Sequence, residues 1–347
     1  MATIWLRRLG TKRSGFRYAD EMGRPVRDKR TLQRIEALRI PPAWRDVRVA
    51  SSARSGIQAW GYDARNRKQY RYHDRAVERR ELRKYYRMRE LAKSLPKMRA
   101  VLRQDAARRE LTRETVSATV LRLISESFCR IGGERYAREN GTYGITTLRK
   151  KHVSIEGDCV VLSYLGKSNK KQRQVIVSRE LTKLVARQLS APGSRLFRYR
   201  SPSGGWCDVT ARDVNNYVHE RLGRQYSAKD FRTWGGTLRA ATVLAELGAA
   251  RNEREAKRNV ALAMRLVSSE LGNTPTICRK SYVHPMVIAR YVDEGDAIAF
   301  PAARRAAANR GQAHSPEERA LIAFLDRHFP ERRRRPRRAD VDERSAA

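Results

Sequence analysis

Apolar positions between residues 114 and 131 recur with helical spacing. Val116, Val120, Leu123, Ile124, Phe128 and Ile131 fall on one stripe. The first 80 residues read differently, as short strands and turns with one or two helices. Residues 15–18 and 47–50 look extended, and 68–73 alternates, with Tyr70 and Tyr72 on one face and Gln69 and Arg71 on the other. Met22-Gly23-Arg24-Pro25 and Gly61-Tyr62-Asp63 carry turn signals. A short helix is expected from about Asp28, burying Leu32, Ile35 and Leu38 before Pro41-Pro42 stops it.

Beyond residue 75 the pattern is helical. Residues 76–93 are strongly basic. Thr210 with Asp213, and Ser227 with Asp230, place an N-cap and an acidic N3 residue at the start of two further helices. Another runs over 252–271 and ends at Gly272, and Ser315-Pro316 with Glu318 opens one over 316–328. A single β element interrupts: 159–165 and 172–177 as strands, joined by a hairpin loop over 166–171. No internal repeat is visible. The expected class is α+β: a small β-rich domain over 1–80, a mostly α-helical domain with a small sheet over 81–330, and a disordered charged tail over 331–347.

Composition narrows the partners. The chain has 347 residues, with 75 Lys and Arg against 37 Asp and Glu, a net charge of +38. Its 14 Tyr, 7 Phe and 5 Trp are enough to build real cores, so the charge is not the mark of a disordered chain. Such a charge calls for a polyanion, and nucleic acid is the leading candidate because phosphate neutralisation releases counterions. No apolar run approaches membrane-spanning length, and the N-terminal apolar stretch is too short for a secretory signal. The four cysteines form no CxxC pair, which excludes a zinc ribbon and fits a reducing cytoplasm. The six histidines are scattered and there is no GxxxxGK[ST] segment, so neither a metal nor a nucleotide cofactor is expected.

The candidate chemistry is dispersed. Arg130 follows the apolar helix in SFCRIGGERY and is expected to end it. Lys167 sits at the hairpin tip after Gly166. Arg232 lies one turn into a helix in AKDFRTWGGT, and Tyr282 lies in LGNTPTICRKSYVHP. Singly, each has a plain reading as a solvated surface group. Gly132-Gly133 and Gly235-Gly236 are too short for phosphate cradles and read as helix ends or close packing.

Together with IPPAWRDV at 40–47, RKQYRY at 67–72, RIG at 130–132, KDFRTWG at 229–235 and GNTP…RKSY ending at Tyr282, these residues make the chain resemble type IB DNA topoisomerases of the small poxvirus-like and bacterial group. The resemblance spans roughly residues 40–295. It implies a C-shaped DNA clamp, relaxation of supercoiled duplex without ATP or metal, and a 3′-phosphotyrosyl intermediate. By resemblance, Tyr282 is the nucleophile, Lys167 the general acid, and Arg130 and Arg232 the phosphate clamp. Lys229 and Tyr136 match positions near the phosphates. Asn273 stands where the viral pattern has His, and can donate a hydrogen bond but not titrate. Gln69, Tyr70 and Tyr72 are candidate DNA contacts, on the chemistry of amide and phenol groups among cations. A monomer in the cytoplasm, associated with the nucleoid, is expected.

The chemistry suits these residue types. Metal-free cleavage of a phosphodiester needs a nucleophile, an acid for the leaving oxygen, and fixed cations for the non-bridging oxygens. Two alternatives stay open. A tyrosine recombinase shares the Arg–Lys–Arg–Tyr order, but usually has His where this chain has Lys229, and a helical N-terminal domain. A non-enzymatic DNA binder would account for the charge but not for Tyr282 in its setting.

Overall fold

A computed structural model describes residues 3–295, 297–300 and 313–329. The expected tail over 331–347 lies outside the described residues. The chain divides into two compact units after Lys84.

The first unit is a five-stranded antiparallel sheet: β1 (Trp5–Thr11), β2 (Gly15–Ala19), β3 (Arg45–Ala50), β4 (Ile57–Tyr62) and β5 (Lys68–Tyr72), in the order β2-β1-β3-β4-β5. Its core is Leu6, Val47, Val49 and Ala59 with Ile35 from α1 (Lys29–Ala37). Asp28 caps α1 by accepting from the Thr31 amide at 2.9 Å. Ile35 is the one fully buried residue of α1; Leu32 and Leu38 are only half-buried.

The turn expected at Gly61 falls further on. Gly61 is inside β4, where a Cβ would come within 2.9 Å of Val47 and 3.3 Å of the Trp44 ring, so this glycine serves close packing. The chain reverses over Asp63–Arg67 instead. The Asp63 carboxylate accepts from the Arg65 and Arg67 amides at 3.0 and 2.9 Å. The Arg67 guanidinium beside it helps hold this carboxyl at about 2.

The opposite sheet face is basic and aromatic. Arg7, Arg48, Trp60 and Tyr70 stand opposite one another across β1, β3, β4 and β5. Lys68 Nζ lies 3.8 Å from the Trp60 ring centroid, and Tyr70 and Tyr72 stack at 5.8 Å.

The helix α2 (Asp74–Ala107) passes through the division at Lys84. Its basic run hides an apolar stripe, Met88, Leu91, Leu95, Met98 and Leu102, all buried in the core of the second unit. There follow α3 (Arg113–Ser127), α4 (Glu134–Asn140), the antiparallel sheet β6 (Val153–Glu156), β7 (Cys159–Leu165) and β8 (Lys171–Val177), then α5 (Arg179–Leu189). A small hairpin, β9 (Arg198–Arg200) and β10 (Trp206–Asp208), leads to α6 (Ala211–Leu222), α7 (Ala228–Leu247), α8 (Glu253–Leu271), α9 (Pro275–Tyr282), α10 (Pro285–Glu294) and α11 (Pro316–His328). The capping boxes at Thr210–Asp213, Ser227–Asp230 and Ser315–Glu318 are formed. No helix of the described residues is long and apolar enough to cross a membrane, and all four cysteines are free.

One helix end differs from expectation in a way that matters. The apolar stripe of α3 continues in the sequence through Ile131, yet the helix stops at Ser127. Phe128 takes a left-handed conformation with φ 52°. Its ring fills the notch left by Gly235 on α7, where a Cβ would lie 2.1 Å from the ring. Arg130 therefore sits on a non-helical segment after α3 and not at the end of the helix.

Candidate active site

Two helix C-termini meet a pair of arginines in the second unit. A helix ends with unpaired carbonyls and the negative end of its dipole, so it attracts cations. Arg232, in the second turn of α7 and 4% exposed, donates to the carbonyls of Phe128, the cap of α3, and Leu271, the last residue of α8. Arg130 donates to the Gly272 carbonyl at 3.0 Å and to the Asn273 side-chain oxygen. Burial of two guanidinium groups this close would be costly without such partners. Burial first, then the neighbouring Arg232 cation, pulls the Arg130 guanidinium below its ordinary value.

Tyr282 ends α9, with the Arg232 guanidinium carbon 4.9 Å from its ring centroid. Its backbone is fixed from α7: Thr237 Oγ1 donates to the Tyr282 carbonyl at 3.2 Å, and a Cβ on Gly236 would approach that carbonyl to 2.8 Å. Burial pushes the phenol up, but Arg232, Arg130 and Lys229 more than offset it, so its pKa is lowered. Another buried tyrosine, Tyr164, shows the contrast. There burial dominates, the Cys129 thiol adds to it, and the phenol is pushed far up. Of the two phenols, only that of Tyr282 has its pKa lowered.

A cleft of about 330 Å³ is lined by Arg130, Lys167, Arg232 and Tyr282 together with Lys229 and Tyr136. Lys167 is exposed on the turn between β7 and β8, and Lys229 is exposed at the start of α7. Tyr136 lies on α4, 56% exposed. Asn273 does not line the cleft; it is 7% exposed and reaches Arg130 from the α8–α9 turn. Among the described residues, two buried donors have no hydrogen-bond acceptor, Arg232 Nε and Asn273 Nδ2. Of the two, Arg232 lines the cleft, where a guanidinium N–H suits an anion's oxygen.

The three N-terminal candidates belong to the first unit. Gln69 donates to Asp63 at 3.0 Å, so its amide nitrogen is already engaged, while Tyr70 is 40% exposed on the basic-aromatic face. Two supports carried no sequence signal. Arg87 of α2 grips the buried Asp230 carboxylate at 2.7 Å and so steadies the start of α7. Lys170 donates to the Asn273 carbonyl at 2.8 Å. Among the described residues no group of three or more His, Cys, Asp or Glu is placed to hold a metal ion.

The second unit thus gathers a buried and a half-buried arginine, a hairpin lysine and a tyrosine of lowered pKa around one cleft. Residues 67–304 match the family described as eukaryotic DNA topoisomerase I, catalytic core, and residues 15–63 match bacterial DNA topoisomerase IB, N-terminal domain. DNA topoisomerase 1B of Acanthamoeba polyphaga mimivirus is 34% identical over 267 residues, covering 75% of this chain and 80% of that protein. DNA topoisomerase 1B of vaccinia virus (strain Copenhagen) is 21% identical over 273 residues, covering 77% and 84%. A solved XerH site-specific recombinase bound to difH aligns with TM-score 0.34 and 14% identity, over 54% of this chain and 49% of that one. The chain belongs to the type IB DNA topoisomerase family.

Proposed function

We propose that this enzyme relaxes supercoiled double-stranded DNA by transesterification in the Arg130–Arg232–Tyr282 cleft. The Tyr282 phenol releases its proton to solvent, and its oxygen attacks a backbone phosphorus. The bond to the 5′ oxygen breaks as the bond to tyrosine forms, leaving a 3′-phosphotyrosyl adduct and a free 5′ hydroxyl. Lys167 gives its ammonium proton to the leaving oxygen and becomes a neutral amine. Arg130 and Arg232 hold the non-bridging oxygens, and Asn273 Nδ2 adds a neutral donor. Lys229 and Tyr136 contact the flanking phosphates. The adduct keeps the energy of the broken ester, so the free end rotates under torsional strain and the reverse reaction reseals it with no ATP and no obligatory metal.

The observation that supports this most is electrostatic. The two arginines are fixed beside Tyr282 before DNA arrives, held by helix-end carbonyls. In the first unit, Tyr70, Tyr72 and Gln69 are read as duplex contacts; that both units hold one duplex is part of the proposal. We also read the chain as a bacterial, cytoplasmic, nucleoid-associated monomer, since one tyrosine suffices for one nick.

The test is incubation with supercoiled plasmid in EDTA without ATP. Complete relaxation by the wild type, and none by Tyr282→Phe, is expected. Relaxation that needs a divalent metal at every salt concentration would remove the metal-free mechanism.

A further inference from the structure

Four successive carbonyls at the end of α8 each hold a different side chain. Gln174 donates to Glu270 at 2.8 Å, Arg232 to Leu271, Arg130 to Gly272 at 3.0 Å, and Lys170 to Asn273 at 2.8 Å. Two of these side chains belong to the phosphate-binding pair. The other two come from the second arm of the β7–β8 hairpin. Strand alternation puts residues 170, 172 and 174 on one side. Gln172, between them, lies where a Cβ on Gly272 would meet its side-chain oxygen at 2.1 Å. Gly272 thus supplies both the left-handed turn, φ 61°, and the room for this strand to lie against the helix end.

Lys170 carries the contact out to the hairpin turn. It closes the turn from its own backbone as well, accepting from the Gly166 amide at 2.8 Å. Ser168 and Asn169 take left-handed φ of 62° and 55°, so the turn between Gly166 and Lys170 is tight. The Lys167 side chain, within it, makes no hydrogen bond or ion pair among the described residues. Its reach into the cleft depends on where the turn is held, and Lys170 is the side-chain anchor of that turn. A cation is favoured there, at the negative end of α8.

We infer that Lys170 is a positioning residue: its bond to the Asn273 carbonyl latches the hairpin to the α8–α9 turn and places Lys167 against the leaving 5′ oxygen. The latch rests on the reading of Lys167 as general acid. It also ties the acid to the segment that carries Asn273 and leads into the Tyr282 helix, so the two move as one.

The experiment compares single-turnover cleavage of an ordinary duplex with one carrying sulfur at the 5′-bridging position. A thiolate leaves without a proton, so only defects in acid delivery are rescued. Lys170→Met is expected to cleave the ordinary duplex about 10- to 10²-fold more slowly, the scale of a misplaced catalytic group. It should cleave the sulfur duplex near the wild-type rate and melt at the wild-type temperature. Lys170→Arg, which keeps a donor, should recover most of the loss. Equal slowing on both substrates, or no slowing on either, overturns the latch. Lys167→Ala, run in parallel, separates the two failures. If it is not rescued by sulfur, the acid assignment falls and the latch with it. If it is rescued and Lys170→Met is not, the acid stands and the latch falls.

Discussion

The sheet face of the first unit and the cleft of the second both offer cations to a polyanion, but they hold them differently. On the sheet, Lys68 and Arg48 rest over the Trp60 ring at 3.8 and 6.0 Å and keep contact with solvent. They cost little to carry, and the hold proposed for them on a phosphate backbone is one that salt screens. In the cleft, Arg232 is nearly sealed from water and Arg130 half so, and both are bound to carbonyls at the ends of α3 and α8. Those carbonyls offset the burial and fix the guanidinium groups in advance. The first arrangement suits affinity and the second suits rate, because preorganised charge needs no rearrangement in the transition state.

Substitutions should therefore separate the two regions. The largest effect is expected in the cleft, where Arg232→Ala removes the buried guanidinium proposed to clamp the phosphate. Cleavage should slow by more than about 10³-fold, beyond the loss of a neutral oxyanion donor. The pH profile should move as well. Burial raises the Tyr282 phenol and Arg232 is the chief cation lowering it, so without Arg232 the phenol pKa rises. The rising limb of the cleavage rate should then shift to higher pH, measured by single-turnover kinetics across a pH series. A smaller effect is expected for Asn273→Ala, about 10²- to 10³-fold and less than for either arginine, with the pH profile unmoved because an amide does not titrate. A loss exceeding that of Arg130→Ala would reverse their order.

The smallest effects belong to the sheet. Lys68→Ala or Tyr70→Ala should weaken duplex binding modestly and leave the cleavage rate of bound DNA unchanged. For Lys68→Ala the salt dependence of binding should fall by about one phosphate contact. A changed rate on saturating DNA would mean that this face takes part in the chemistry.

Much of this was legible because local rules governed it. The boxes at Thr210, Ser227 and Ser315 are side-chain-to-amide bonds within three residues, so the sequence carries them whole. The glycine pair at 235–236 reads as a helix end or as close packing, and the second is its role inside α7 against Phe128 and Tyr282. The order Arg130, Lys167, Arg232, Tyr282 identified the cleft through resemblance. What escaped was set by distant partners. Periodicity carried α3 through Phe128 and Ile131, but the Gly235 notch turns Phe128 left-handed and ends the helix early. Gly61 looked like a turn because its tight fit against Val47 and Trp44 has no local signature. The strand β6 and the hairpin of β9 and β10 are too short, at four and three residues each, to show alternation. Lys170 is one lysine among several in GKSNKKQR, and only the end of α8 distinguishes it.

The central claim is that Tyr282 forms the bond to DNA, and mapping the adduct tests it most directly. The enzyme would be denatured during reaction with a duplex, digested with protease and nuclease, and the modified peptide sequenced by mass spectrometry. The account predicts a single nucleotide joined through its 3′ phosphate to Tyr282, and no adduct with Tyr282→Phe. An adduct on another residue, or one joined through a 5′ phosphate, would contradict it.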